Sequence, residues 1–81
     1  GASVGDDMRL DHIVPLQLGG DNGANNLKLV SLEEWKRYTP IENYLGKLLK
    51  NGKISEETAR KLIKDFKNGT ITAEEIRTKY R

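Results

Sequence analysis

Two stretches of this chain read as strands, Met8 to Val14 and Leu27 to Val30, and beyond Ser31 the apolar residues repeat at helical spacing. That division leaves an α+β architecture: a β-hairpin crossed by a helix and extended by further helices. In the first run Leu10 and then Ile13 to Leu16 supply apolar side chains, and Pro15 ends ladder pairing, which puts the strand at a sheet edge. Between the runs, Gly19-Gly20-Asp21-Asn22-Gly23 is dense in turn formers, so the connection reads as a long structured loop.

Ser31-Leu32-Glu33-Glu34 has the form of a capping box and starts a short helix, after which Thr39-Pro40 restarts the chain with a new cap and a first-turn proline. Ile41, Tyr44, Leu45, Leu48 and Leu49 then make one apolar stripe, which Asn51-Gly52 ends. Ser55 opens another helix with Ala59, Leu62, Ile63 and Phe66 on one face, Asn68-Gly69 stops it, and Thr72-Ala73-Glu74-Glu75 caps a third. The phrase Asn-Gly-x-Ile-Ser/Thr begins at Asn51 and again at Asn68. Two copies are too few for a solenoid, so they mark chain reversals that fold residues 51–81 into a helical hairpin packed on residues 1–50.

A chain of 81 residues forms one small domain whose core adds only a few kcal/mol net, so a bound metal would help hold it. With no cysteine it has neither a disulfide framework nor a thiolate zinc site. Any metal would be held by oxygen and imidazole nitrogen, which points to magnesium, manganese or a mixed site. No apolar stretch approaches a membrane span and no leader pattern opens the chain, so a soluble protein is expected. Gly1-Ala2-Ser3-Val4-Gly5 looks like a cloning remnant or the stub of a longer protein. Net charge is +2, but residues 1–40 hold four basic against six acidic groups and the remainder ten against six. An acidic half would carry a site and a basic half would lie along phosphates, although solvated Lys/Glu-rich helices account for the asymmetry equally well.

His12 is the single histidine, and it stands in Arg9-Leu10-Asp11-His12-Ile13-Val14-Pro15-Leu16-Gln17-Leu18-Gly19-Gly20, with Asn26-Leu27 beginning fourteen residues later. Neighbouring strand residues point to opposite faces, so Asp11 and His12 serve one reaction only if the strand distorts or if metal and nucleophile lie on different sides of the scissile group. Phosphodiester hydrolysis suits that arrangement. The carboxylate would hold a divalent cation against the phosphate and the leaving oxygen, while an imidazole, which titrates near neutral pH, takes a proton from water. An isolated Asp-His pair is more often structural, with ring nitrogens satisfied by backbone, and that alternative stays open on the pair alone.

The whole phrase from Leu10 to Leu27 resembles the HNH endonucleases of the ββα-metal (His-Me finger) group. The resemblance implies that Asp11 binds one divalent ion, magnesium or manganese, that His12 is the general base, and that Asn26 pins the connecting loop by side-chain hydrogen bonds. It also implies that residues 1–50 are a ββα-metal nuclease core, that the partner is DNA, and that the protein is cytoplasmic, of bacterial or phage origin. A looser likeness to the helical tail of a phage-type or bacterial subgroup runs through Thr39–Leu45 and Asn51–Ser55.

The family's final metal-binding histidine is missing, and variants with asparagine there are known in the family. With Ile41 at zero and about 100° per residue, Glu42, Asn43 and Gly46 fall near 100°, 200° and 140°, on a face separate from the apolar stripe. Gly46 would let another backbone approach closely. Asn43 is the expected second metal ligand by the resemblance, with Glu42 as its rival because a carboxylate binds a hard cation more strongly than an amide.

Lys36 and Arg37 are the expected phosphate contacts, and Trp35, Tyr38 and Tyr44 suit core packing better than base stacking. The loop from Asp21 fails as a calcium loop, since its sixth position is Asn26 and its twelfth Leu32. The expected function is a metal-dependent DNA endonuclease. The alternatives are a non-catalytic nucleic-acid-binding module of the same fold and a helical interaction domain in which Asp11-His12 is structural.

Overall fold

In the computed structural model, which describes residues 8–80, strands β1 (Met8–His12) and β2 (Leu27–Ser31) pair antiparallel with Leu10 opposite Leu29 and His12 opposite Leu27. The expectations about residues 1–7 and 81 lie outside the described residues. β1 ends at His12, short of Val14, because the backbone beyond it bonds into the loop: the Ile13 N–H donates to the Asn26 carbonyl at 2.8 Å and the Val14 N–H to Asn26 Oδ1 at 2.9 Å. Alternation gives the hairpin two unlike faces. Asp11 and Val30 are buried, whereas Leu10 and Leu29 are 60% and 61% exposed.

Between the strands run two 3₁₀ turns, Leu16–Leu18 and Ala24–Asn26. Gly20 is obligatory in this loop: a Cβ there would stand 1.7 Å from the Val14 carbonyl oxygen, while the Gly20 N–H already donates to Pro15.

A single helix, α1 (Leu32–Lys50), follows at once. The capping box is present: Ser31 Oγ accepts from the Glu34 N–H and Glu34 Oε1 accepts from the Ser31 N–H, each at 3.1 Å. The helix is not short, however, and does not restart at Thr39-Pro40; it runs through Pro40. Proline removes the hydrogen bond to the Lys36 carbonyl and crowds it. Against that loss, Tyr38, Ile41, Leu45 and Leu48 lie on one unbroken buried stripe across Pro40, and the Thr39 hydroxyl donates to the Trp35 carbonyl at 2.9 Å.

Helices α2 (Glu56–Lys67) and α3 (Ala73–Tyr80) follow the expected caps, with Ser55 Oγ and Thr72 Oγ1 accepting from the N–H groups of Thr58 and Glu75. Gly69, at φ 87°, reverses the chain after α2 where a side chain would be strained. Leu18, Ile41, Leu45, Ile63 and Ile76 join in one buried cluster, so the loop and all three helices share a core. The Tyr38 and Phe66 rings meet edge to face at 5.9 Å and tie α2 to α1. Among the described residues no helix is long and apolar enough to cross a membrane.

Candidate functional site

Asp11 is a buried charged residue, 5% exposed on the covered face of β1. A carboxylate there needs a partner. Its Oδ2 accepts from Lys67 Nζ at 2.6 Å, and the same nitrogen donates to Glu42 Oε2 at 2.6 Å and to the His12 carbonyl at 2.8 Å. The three side chains are 6%, 8% and 15% exposed for Asp11, Lys67 and Glu42. The Tyr38 ring faces the ammonium at 5.0 Å. Burial, and after it the Glu34 carboxylate, holds the Tyr38 phenol above its ordinary pKa, so the ring beside Lys67 stays neutral.

Two carboxylates and a carbonyl therefore converge on one positive centre, carried by strand β1, the middle of α1 and the last residue of α2. This is an all-oxygen donor set of the type hard divalent cations take, and magnesium is commonly held by one or two carboxylates with water and substrate oxygens completing the shell. Among the described residues no three His, Asp or Glu side chains gather into a metal-binding group. By donor chemistry Asp11 and Glu42 fit such an ion, and the positive charge between them is that of Lys67.

His12 is half-buried, with Nε2 2.8 Å from Asn22 Oδ1. The facing atom is an amide oxygen, which only accepts, so Nε2 is the donor of this pair. Strand alternation turns His12 to the opposite side of β1 from Asp11, as expected for adjacent residues. A cleft of about 350 Å³ nevertheless brings the groups together, lined by Leu10, Asp11, His12, Pro15, Leu16, Gln17, Trp35 and Glu42.

Asn26 holds the loop beneath His12. Its Nδ2 donates to the carbonyls of Val14 at 2.9 Å and Asp21 at 2.7 Å, while its Oδ1 accepts from the Val14 N–H. The Asp21 side chain makes a turn within the same loop, accepting from the Gly23 N–H at 2.9 Å.

Glu42, and not Asn43, is the residue brought to Asp11. Asn43 is exposed, and its Oδ1 accepts from Gln17 Nε2 at 3.2 Å. Gly46 admits that same glutamine and not another backbone, since a Cβ there would meet Gln17 Oε1 at 2.6 Å. Lys36 and Arg37 are exposed on α1, with the Arg37 guanidinium 5.7 Å from the Tyr38 ring centre. Tyr38 is buried and Tyr44 half-buried in packing roles, whereas Trp35 is 38% exposed at the rim of the His12 cleft.

No known protein family, curated protein or solved structure gave a match to this chain.

Sequence reasoning missed two residues of the cluster. Asn22 sits in a loop whose amides all read as turn formers. Lys67 is 56 positions from Asp11 but carries a signal: it falls four residues after Ile63, at the edge of an apolar stripe, where a charge must find a partner.

Proposed function

We infer that this chain is a metal-dependent DNA endonuclease that hydrolyses phosphodiester bonds with His12 as general base. The observation that carries the reading is the convergence on one cationic position of the Asp11 and Glu42 carboxylates, which line a cleft together with His12. The likeness of Leu10 to Leu27 to the HNH endonucleases supports it independently.

In this reading Asp11 and Glu42 hold the divalent ion, magnesium or manganese. When bound, the ion supplies charge neutralisation for the phosphate and the departing 3′ oxygen. His12 Nδ1 takes the proton of the attacking water as oxygen bonds to phosphorus. The Nε2–H···Oδ1 bond to Asn22 keeps the ring aimed and stabilises the imidazolium that results. Asn26 positions the loop that carries Asn22. Asn43 lies outside the ion's shell, bonded to Gln17 at the cleft wall, and Lys36 and Arg37 contact backbone phosphates.

A second reading, a DNA-binding module without hydrolysis, draws its support from Lys67, which already balances part of the charge on the carboxylates. Supercoiled plasmid separates the two. The nuclease reading expects nicked or linear product with Mg²⁺ or Mn²⁺ and none after chelation, whereas a gel shift without cleavage supports the binding module.

A further inference from the structure

Lys67 is held more completely than an ordinary surface lysine. Its three ammonium hydrogens go to Asp11 Oδ2, Glu42 Oε2 and the His12 carbonyl. The Tyr38 face adds a cation–π contact, and the C-terminal end of α2 favours positive charge at the helix's last residue. Charge balance is still incomplete, because one ammonium answers two carboxylates. A divalent ion at the same point would neutralise both.

We propose that Lys67 is a tethered cation that occupies the divalent-ion position between Asp11 and Glu42 and must withdraw before the ion binds, so that it sets the concentration at which the site loads. This rests on Asp11 and Glu42 as ligands, and not on DNA hydrolysis.

The fold provides a place for the withdrawn side chain. Asp11 separates two clefts: the one that His12 and Glu42 line, and another of about 250 Å³ lined by Tyr38, Lys64, Lys67 and Asn68 with Lys28. A flexible four-carbon stem reaches the second cleft by rotamer change, without movement of α2. There the ammonium meets Lys28 and Lys64, so like-charge repulsion returns it to the carboxylates when the ion leaves. Lys67 cannot be exchanged freely for arginine in such a device, since a planar fork cannot replace a compact point charge.

Mn²⁺ alone is the probe. Its affinity is measured by spin resonance for the wild type, Lys67→Met and Asp11→Asn, and amine modification of each lysine is followed by mass spectrometry with and without Mn²⁺. The expected result is slow modification of Lys67 that accelerates on Mn²⁺ addition, together with Mn²⁺ binding at least about tenfold tighter in Lys67→Met and lost in Asp11→Asn. Continued protection of Lys67 with Mn²⁺ bound overturns the proposal, as does an affinity in Lys67→Met equal to or below that of the wild type, or no Mn²⁺ binding by either. If Lys67→Met does not fold, the wild-type modification pattern decides alone. Plasmid cleavage scored on the same samples keeps the two readings apart. Displacement without cleavage removes the nuclease and leaves the tethered cation, and cleavage with Lys67 still protected does the reverse.

Discussion

Two glycines show how differently the same residue is used. At Gly20 an added methyl would collide with a backbone carbonyl at 1.7 Å, and neither partner can yield without opening the loop that Asn26 pins. Gly20→Ala is therefore expected to cost about 3 kcal/mol or more. At Gly46 the obstacle is the end of the Gln17 side chain, which can swing aside, and alanine is the better helix former by about 1 kcal/mol. Gly46→Ala should change stability by less than about 1 kcal/mol in the same denaturant titration; a large loss there would mean that Gln17 is fixed. The loop contacts of Asn26 were legible through the resemblance, whose motif is local in sequence. Lys67 was not, because only the packing of α2 on α1 and on the Leu16–Leu18 turn brings it to Asp11, and Asn43 was favoured over Glu42 by resemblance when the phase of α1 turns the glutamate to the strand.

At the scale of elements, the hairpin, the capping box and the ends of α2 and α3 were legible from turn and cap chemistry, whereas the length of α1 was not. Local propensity places a boundary at Thr39-Pro40, but burial of Tyr38 and Ile41 on both sides of the proline overrides it. The cost of that override is measurable: Pro40→Ala should raise stability by about 1–2 kcal/mol, since Pro40 is exposed and alanine restores the missing N–H. A destabilised Pro40→Ala would mean that the ring itself is needed.

The start of α1 gives a pH signature. The Ser31 backbone N–H, and after it the Ser31 hydroxyl, hold the Glu34 carboxyl below its ordinary pKa. A carboxyl depressed in the folded state stabilises it at pH above the unfolded value, and that contribution disappears as pH falls through the lowered folded value. Wild type should thus exceed Glu34→Gln in melting temperature near neutrality, with the difference shrinking below about pH 4.5, the ordinary value. A pH-independent difference would contradict the assignment. Ser31→Ala should cost about 1 kcal/mol near neutrality.

On the scale of the molecule, a two-stranded hairpin is marginal by itself, and here α1 packs on both strands and α2 reaches β1 through Lys67, while Leu10 and Leu29 stay exposed on the other face. The charge asymmetry seen in the sequence acquires a specific meaning at one point. A lysine from the basic half closes over an aspartate from the acidic half, so part of that asymmetry is internal to the fold and not simply a phosphate-binding surface. The partition into residues 1–50 and 51–81 is likewise bridged by a common core and by the Lys67 contacts.

In the proposed function His12 acts as a base beside the Asp11–Glu42 cation position. This role is tested most directly by the rate of Mn²⁺-dependent plasmid nicking in His12→Ala, with Mn²⁺ affinity and melting temperature measured on the same protein. A fall in rate of at least about a hundredfold, with metal affinity and stability held near wild type, is the predicted result. Nicking by His12→Ala at the wild-type rate would contradict it.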